Sequence, residues 1–438
     1  MNLESSASKE DIISSSSLIG GEFKKTSLMA LMKNKVTLSL ILIFLSFQGA
    51  SSKDYNLKEI IEIGLKHNPY LLARREEVEA AKFGLEAAKR FFNPSLDFKL
   101  GKANSYEGIL KKTTNGISIS QSLENPLKRQ YRIQMHEDKF QQAQFSYENY
   151  KLEIIHEIKH SFFKIILFEN RVDLARKSLE SIQNIHQLIL KRVQLGETKE
   201  LEAIKLQVET LKAKNELNRN LKELKLAREN LNKLLGNILS PDFSVEGELD
   251  YKPIEIDEAG LIEKALISHP LIKGKQKEQE HALSNYNYLK WGRIPDALLS
   301  GFIDEELEGR NKGVGISIEI PLWNFKSNEI AEAKSLFLKE SEELKAIKME
   351  LETEIKTKLN ELKLSEEMLN LFLAGLLEQA IESLKISEVS YKQGEISLID
   401  YLDSQRTYYS ILKEYQDSLF AWNANKAALE RAIGGEIK

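Results

Sequence analysis

The chain has 438 residues, with 62 Lys and Arg against 66 Asp and Glu and a formal net charge of −4. That balance leaves no basic footprint for nucleic acid. Cysteine is absent, which excludes disulfides, thiolate metal sites and cysteine-anchored lipids.

Residues 1–31 are Ser-rich. Lys33 and Lys35 then precede an apolar run from Val36 to Phe47, followed by the small residues Gly49, Ala50, Ser51 and Ser52. A basic stretch, a short apolar run and small residues make an export signal. The run is shorter than the ~20 residues a membrane-spanning helix needs. Residues 32–51 therefore read as a signal peptide, with translation starting at Met32 or Met29 and 1–31 as a mis-assigned extension. A mature protein whose mass starts upstream of Lys33 would contradict that start.

An amphipathic segment, Leu57 to Leu65, ends at Asn68-Pro69, and a helix is expected from about Tyr70 to Phe92. Its apolar positions Leu72, Val78, Ala81, Leu85 and Ala88 approximate the helical period. Asn93-Pro94 ends it, because the residue before proline disfavours helix. Leu96–Leu100 and Ile117–Ser120 alternate with period two, as strands with one apolar face do. From Pro126 to about Leu195 neither Pro nor Gly recurs, so a helix roughly 100 Å long is expected. Gly196 breaks it, and a second helix runs from about Leu201 to Leu235 before Gly236.

Then the pattern restarts. Pro69 and Pro94 recur as Pro270 and Pro295, about 201 residues on; Gly196 and Gly236 recur as Gly394 and Gly434, about 198 residues on. Val314 to Leu322 alternates strictly, at close to the 9–11 residues of a membrane-spanning strand. A helix from about Lys326 to Gln393 and a last helix ending at Gly434 complete the second copy. The fold class is α+β, mostly α: a tandem repeat, 55–236 and 257–438, joined by a linker at 237–256.

Each half supplies two strands and very long helices, which cannot bury themselves alone. The four strands could pack as a small sheet on helices. Alternatively they contribute to a β-barrel shared between subunits, since four strands cannot close and known membrane barrels start at about eight. A dimer would supply eight and a trimer twelve. The helices would then form a closed ring, with hairpin turns at Gly196-Glu197 and Gly394-Glu395. That is a passage rather than a catalyst.

The stretch Tyr391-Lys392-Gln393-Gly394-Glu395-Ile396 through Leu402-Asp403-Ser404-Gln405-Arg406 resembles the last hairpin of TolC-type outer-membrane efflux proteins, as does Leu429-Glu430-Arg431-Ala432-Ile433-Gly434. Asn68-Pro69-Tyr70-Leu71 and Ile318-Glu319-Ile320-Pro321-Leu322-Trp323-Asn324 match other recurring stretches of that family. The resemblance covers about residues 55–435, in order and twice. It implies a homotrimer in the outer membrane, with a twelve-stranded transmembrane barrel and a long periplasmic α-helical barrel. It implies docking of the tips, Leu195, Gly196 and Glu197 with Gln393, Gly394 and Glu395, to a periplasmic adaptor (membrane fusion) protein. The inner-membrane pump would be of the RND type, and the heavy-metal RND branch is the most similar. Many relatives are N-terminally lipidated, which this cysteine-free chain cannot match.

Glu378 and Glu382, spaced i,i+4, share a helix face. The resemblance suggests an acidic periplasmic gate near this end, where a trimer would make rings of three carboxylates that favour cations. A solvated helix face is the plainer reading.

His156-Glu157-Ile158-Lys159-His160 matches the zincin H-E-x-x-H pattern. Glu180 follows at a plausible third-ligand spacing but lies on the same expected helix, about 30 Å from His160. No metal site and no cofactor are expected, and no phosphate loop, nucleophile triad or nucleotide fingerprint occurs. Trp323, just past a strand, suits a membrane–water interface. The expected function is a passive outer-membrane channel of a tripartite efflux system, exporting metal cations or drugs. The alternatives are a type I secretion duct for proteins, an exported coiled-coil scaffold, and, least favoured, a zinc peptidase.

Overall fold

The computed structural model describes residues 54–105, 108 and 111–437. The signal-peptide and start-site readings lie outside these residues. The first copy contains β1 (Asp54–Tyr55), α1 (Leu57–His67), α2 (Pro69–Lys89), β2 (Ser95–Asn104), β3 (Lys111–Leu123), α3 (Pro126–Gln194) and α4 (Glu200–Leu234). After β4 (Ser244–Val245) the second copy follows: α5 (Glu258–Ser268), α6 (Pro270–Trp291), β5 (Ala297–Glu305), β6 (Arg310–Ile318), α7 (Ser327–Leu371), α8 (Leu377–Gln393) and α9 (Leu398–Ile433). The mostly helical α+β architecture is as expected.

The helix α3 runs unbroken for 69 residues, about 100 Å. Its counterpart does not. A π-turn at Phe372–Leu376 separates α7 from α8, so the expected single helix 326–393 is corrected to two. Gly375 takes φ 125° and ψ −6° there, a conformation that a Cβ would strain. The corresponding residue of the first copy, about 198 positions earlier, is Lys177 inside unbroken α3.

Four strands form one antiparallel sheet in the order β2-β3-β5-β6, so the middle pair, β3 with β5, joins the two copies. The expected strand 314–322 is corrected to 310–318. Ile318 pairs with Ala297, where β5 begins, so Glu319 onward has no partner strand. The preceding Asp296 is turned away, accepting from the Asn125 N–H and pairing with Lys128 at 2.5 Å.

Three apolar clusters stack along the helices. The first joins Ile60, Ile158, Phe162 and Leu231 of the first copy with Phe243 of the segment that follows it. The second joins Ala265, Ile355, Leu359, Trp422 and Leu429 of the second. The third lies at the hairpin end and takes Ile185, Ile189 and Leu206 from one copy with Tyr391, Leu398 and Tyr401 from the other. Segment 237–256 is part of this packing rather than a bare tether. Phe243 is buried in the first cluster, and β4 pairs in parallel with β1.

The two copies pin their short helices in the same way. Asn68 caps α2 by accepting from the Leu71 N–H at 3.0 Å and donates to the Leu234 carbonyl at 2.8 Å. About 201 residues on, His269 accepts from the Leu271 N–H through Nδ1 and meets the Arg431 carbonyl through Nε2, both at 3.2 Å. Each corner thus ties a short helix to the end of a long one.

Candidate functional site

The sheet has one apolar and one largely polar face. Residues directly opposite in an antiparallel ladder share a face. Leu96 opposes Ile119, and Phe98 opposes Ile117; Ile117 opposes Ile303, and Leu299 opposes Ile316. The other face carries Ser95, Asp97 and Lys99 on β2, with Ser118 and Ser120 on β3. Nothing among the described residues covers the apolar face: Leu100 and Val314 are both 85% exposed. Burying one such side chain is worth about 1.5–3 kcal/mol, so water is a poor neighbour for this surface. In the described sheet β2 and β6 each lack a partner on one side. Trp323 lies just beyond β6 at 94% exposure.

At the far end of the helices, the two tips are built alike. In the first, the Glu197 N–H donates to the Arg192 carbonyl at 2.9 Å and Gly196 N–H to Val193 at 3.0 Å. In the second, Glu395 N–H donates to Ser390 at 2.9 Å and Gly394 N–H to Tyr391 at 3.1 Å. Both are Schellman stops, which need a left-handed residue; Gly196 has φ 74° and Gly394 φ 81°. Leu195, Gly196, Glu197, Gln393, Gly394 and Glu395 are all exposed. The tips lie side by side, since Arg192 donates to the Lys392 carbonyl at 3.1 Å. The third cluster locks the hairpins just behind them, with Tyr391 stacked on Tyr401 at 5.3 Å.

Their restarts differ. Ser397 opens α9 with a capping box to Asp400, whereas Lys199 opens α4 with no side-chain cap. Glu378 and Glu382 lie on exposed positions of α8, just past the π-turn, while Ala380 faces inward. The structure therefore puts both carboxylates on the surface of the hairpin that carries the break.

The H-E-x-x-H stretch is part of the α3–α9 contact. Lys159 pairs with Glu430 at 2.6 Å, fixing a cation inside the motif. His160 packs edge-on against Phe420 at 5.3 Å. Burial pushes the His156 imidazole down to about 4, with Arg431 and His160 adding to the effect. Glu180 shares α3 with both histidines. No group of three metal-ligating side chains occurs among the described residues. The residues present do not fit a zinc centre.

No described helix is long and apolar enough to cross a membrane. Comparison with known proteins matches the outer membrane efflux protein family over residues 60–237 and again over 261–435. A similar curated protein is the cobalt-zinc-cadmium resistance protein CzcC of Cupriavidus metallidurans. It is 24% identical over 392 residues, covering 89% of this chain and 92% of that protein. Among solved structures, the Campylobacter jejuni CmeC outer membrane channel aligns with a TM-score of 0.76 at 16% identity, covering 87% of this chain and 86% of that one. A CusC structure aligns with a TM-score of 0.74 at 15% identity, covering 86% and 92%.

Proposed function

This chain belongs to the outer membrane efflux protein family, and we propose that it is the passive exit channel of a tripartite system exporting metal cations. The observation that carries the channel reading is the sheet. It has one apolar face, two unpaired edges and four strands of 9 to 13 residues. Unpaired strand edges have no water to turn to in lipid, so a spanning sheet must close. Three copies supply twelve strands, above the smallest known barrels. The helices of three copies then continue the tube through the periplasm.

The cargo reading rests on CzcC, whose name denotes cobalt, zinc and cadmium resistance and which aligns over nearly its whole length. The channel takes its energy from partners: an inner-membrane RND pump, reached through a periplasmic adaptor. The two Schellman tips are the adaptor contacts, giving six near-equivalent sites per trimer. Glu378 and Glu382 form the acidic gate behind them.

The test is deletion of the gene, followed by growth on cobalt, zinc and cadmium salts and on a panel of drugs and detergents. Metal sensitivity restored by the intact gene is expected. Unchanged metal tolerance with new drug sensitivity would overturn the cargo and keep the channel.

A further inference from the structure

Between the first apolar cluster and the tip cluster, α3, α4 and α9 meet around a cavity of about 190 Å³. Its walls hold more donors than acceptors. Asn220 of α4, only 5% exposed, brings its side-chain amide to the wall. On α3, Arg171 spends its terminal nitrogen on Asp417, while its buried Nε–H has no acceptor. On α9, Lys413 has Glu216 as its nearest carboxylate, at 3.8 Å. That Glu216 is already held by Arg219 at 2.8 Å. Tyr409 completes the wall; burial pushes its phenol up to about 12, so it stays a neutral donor.

We propose that this junction is a binding site for a small oxyanion, of phosphate or short-carboxylate size. A buried donor without an acceptor is costly, and the Arg171 Nε–H is one; Asn220 of α4 and the partly exposed Lys413 of α9 line the same cavity. A guanidinium, an ammonium and an amide lining one cavity match an oxyanion's several lone pairs. Glu216 is the one carboxylate in the wall, and its pairing with Arg219 draws its charge aside. An ion seated here would bridge α9 to both helices of the first hairpin, tying the two copies together midway along the shaft.

The site differs from the H-E-x-x-H contact and from the tips, and it does not depend on the cargo. It was not legible in the sequence, because Arg171, Asn220 and Lys413 are brought together only by the packing of three helices.

The purified protein in detergent is titrated with inorganic phosphate and, separately, with acetate, against chloride at matched ionic strength. The expected result is a saturable rise in melting temperature of about 2–4 °C at low millimolar phosphate or acetate, absent with chloride. Whichever oxyanion saturates first tells phosphate from carboxylate. Asn220→Leu and Lys413→Met should each weaken the midpoint at least about tenfold, the loss of one charge-assisted contact. Calorimetric titration of the same variants at 25 °C reads binding directly, should either one melt differently. A linear response shared by chloride, or midpoints unchanged in both variants, overturns the proposal and leaves the cavity to water.

Discussion

The two hairpins descend from one pattern but are built differently. The first has an unbroken α3 of 69 residues and restarts at Lys199 without a side-chain cap. The second is broken at Phe372–Leu376 and restarts under a capping box. The first hairpin is a stiff strut with a weakly held turn, and the second is a jointed arm with a firmly held turn. The proposed carboxylate gate sits on the jointed arm, directly after the joint.

The tips test what the hairpins share. If both are adaptor contacts, Gly196→Trp or Gly394→Trp should abolish efflux, with at least about tenfold greater metal sensitivity, while the protein still reaches the outer membrane. Nothing within 4 Å crowds either glycine, so the cost is confined to the left-handed turn, about 1–2 kcal/mol. Efflux that survives both changes removes the docking role.

The joint tests what they do not share. Gly375→Ala places a Cβ at φ 125° and should cost about 1–3 kcal/mol in denaturant unfolding. Lys177→Gly, at the matching place in unbroken α3, should cost only about 1 kcal/mol. Equal losses would mean the two helices are equivalent and the break is incidental. For the gate, Glu382→Ala should weaken cation block of the purified channel in a planar bilayer; unchanged block would reject it.

The corner residues separate the copies by pH. Asn68 does not titrate, whereas burial, with Arg431 close by, pushes His269 below its ordinary value. The unfolded imidazole then takes up protons first as pH falls below about 6.5, so stability drops through that window and is unaffected above it. His156, held at about 4 by burial, extends the loss down to that pH. Protonating Nδ1 of His269 also removes the acceptor for the Leu271 N–H. His269→Asn should restore the Asn68 arrangement and flatten part of the fall in melting temperature between pH 7 and 5, with little change at pH 7.5. A profile identical to the parent would show that the corner does not titrate.

The smallest effects belong to the caps. Ser397→Ala should lose about 1 kcal/mol, and Lys199→Ser should gain about 0.5–1 kcal/mol, by thermal unfolding. Gains and losses of equal sign would show that the turns are set by packing rather than capping.

Much of this architecture was legible because its signals are local. The lack of Pro and Gly after Pro126 announces α3, and the four helix-stop glycines, 196, 236, 394 and 434, all take φ between 74° and 81°. The break at Gly375 was not legible, since a lone glycine inside a helix is commonly tolerated. Here the turn is built where Phe372 packs on Tyr415 of α9, at 5.8 Å. The end of β6 was not legible either. Alternation continues to Leu322, but the ladder stops where Asp296 leaves to cap the start of α3. The positions of the two hairpin turns were legible because each copy repeats the same Gly-Glu stop. The roles of Glu378 and Glu382 could not be read from spacing, since an exposed i,i+4 pair looks the same on any solvated helix.

The central claim is closure of the four-stranded sheet by two further copies. The natural chain has no cysteine, so cross-links report only introduced sites. Lys99→Cys on β2 and Ser317→Cys on β6 place one thiol on the polar face of each unpaired edge strand. A short bis-maleimide applied to outer-membrane fractions of the double variant should yield a ladder of one, two and three subunits that stops at three. Monomer alone, or a ladder confined to soluble fractions, would contradict the channel.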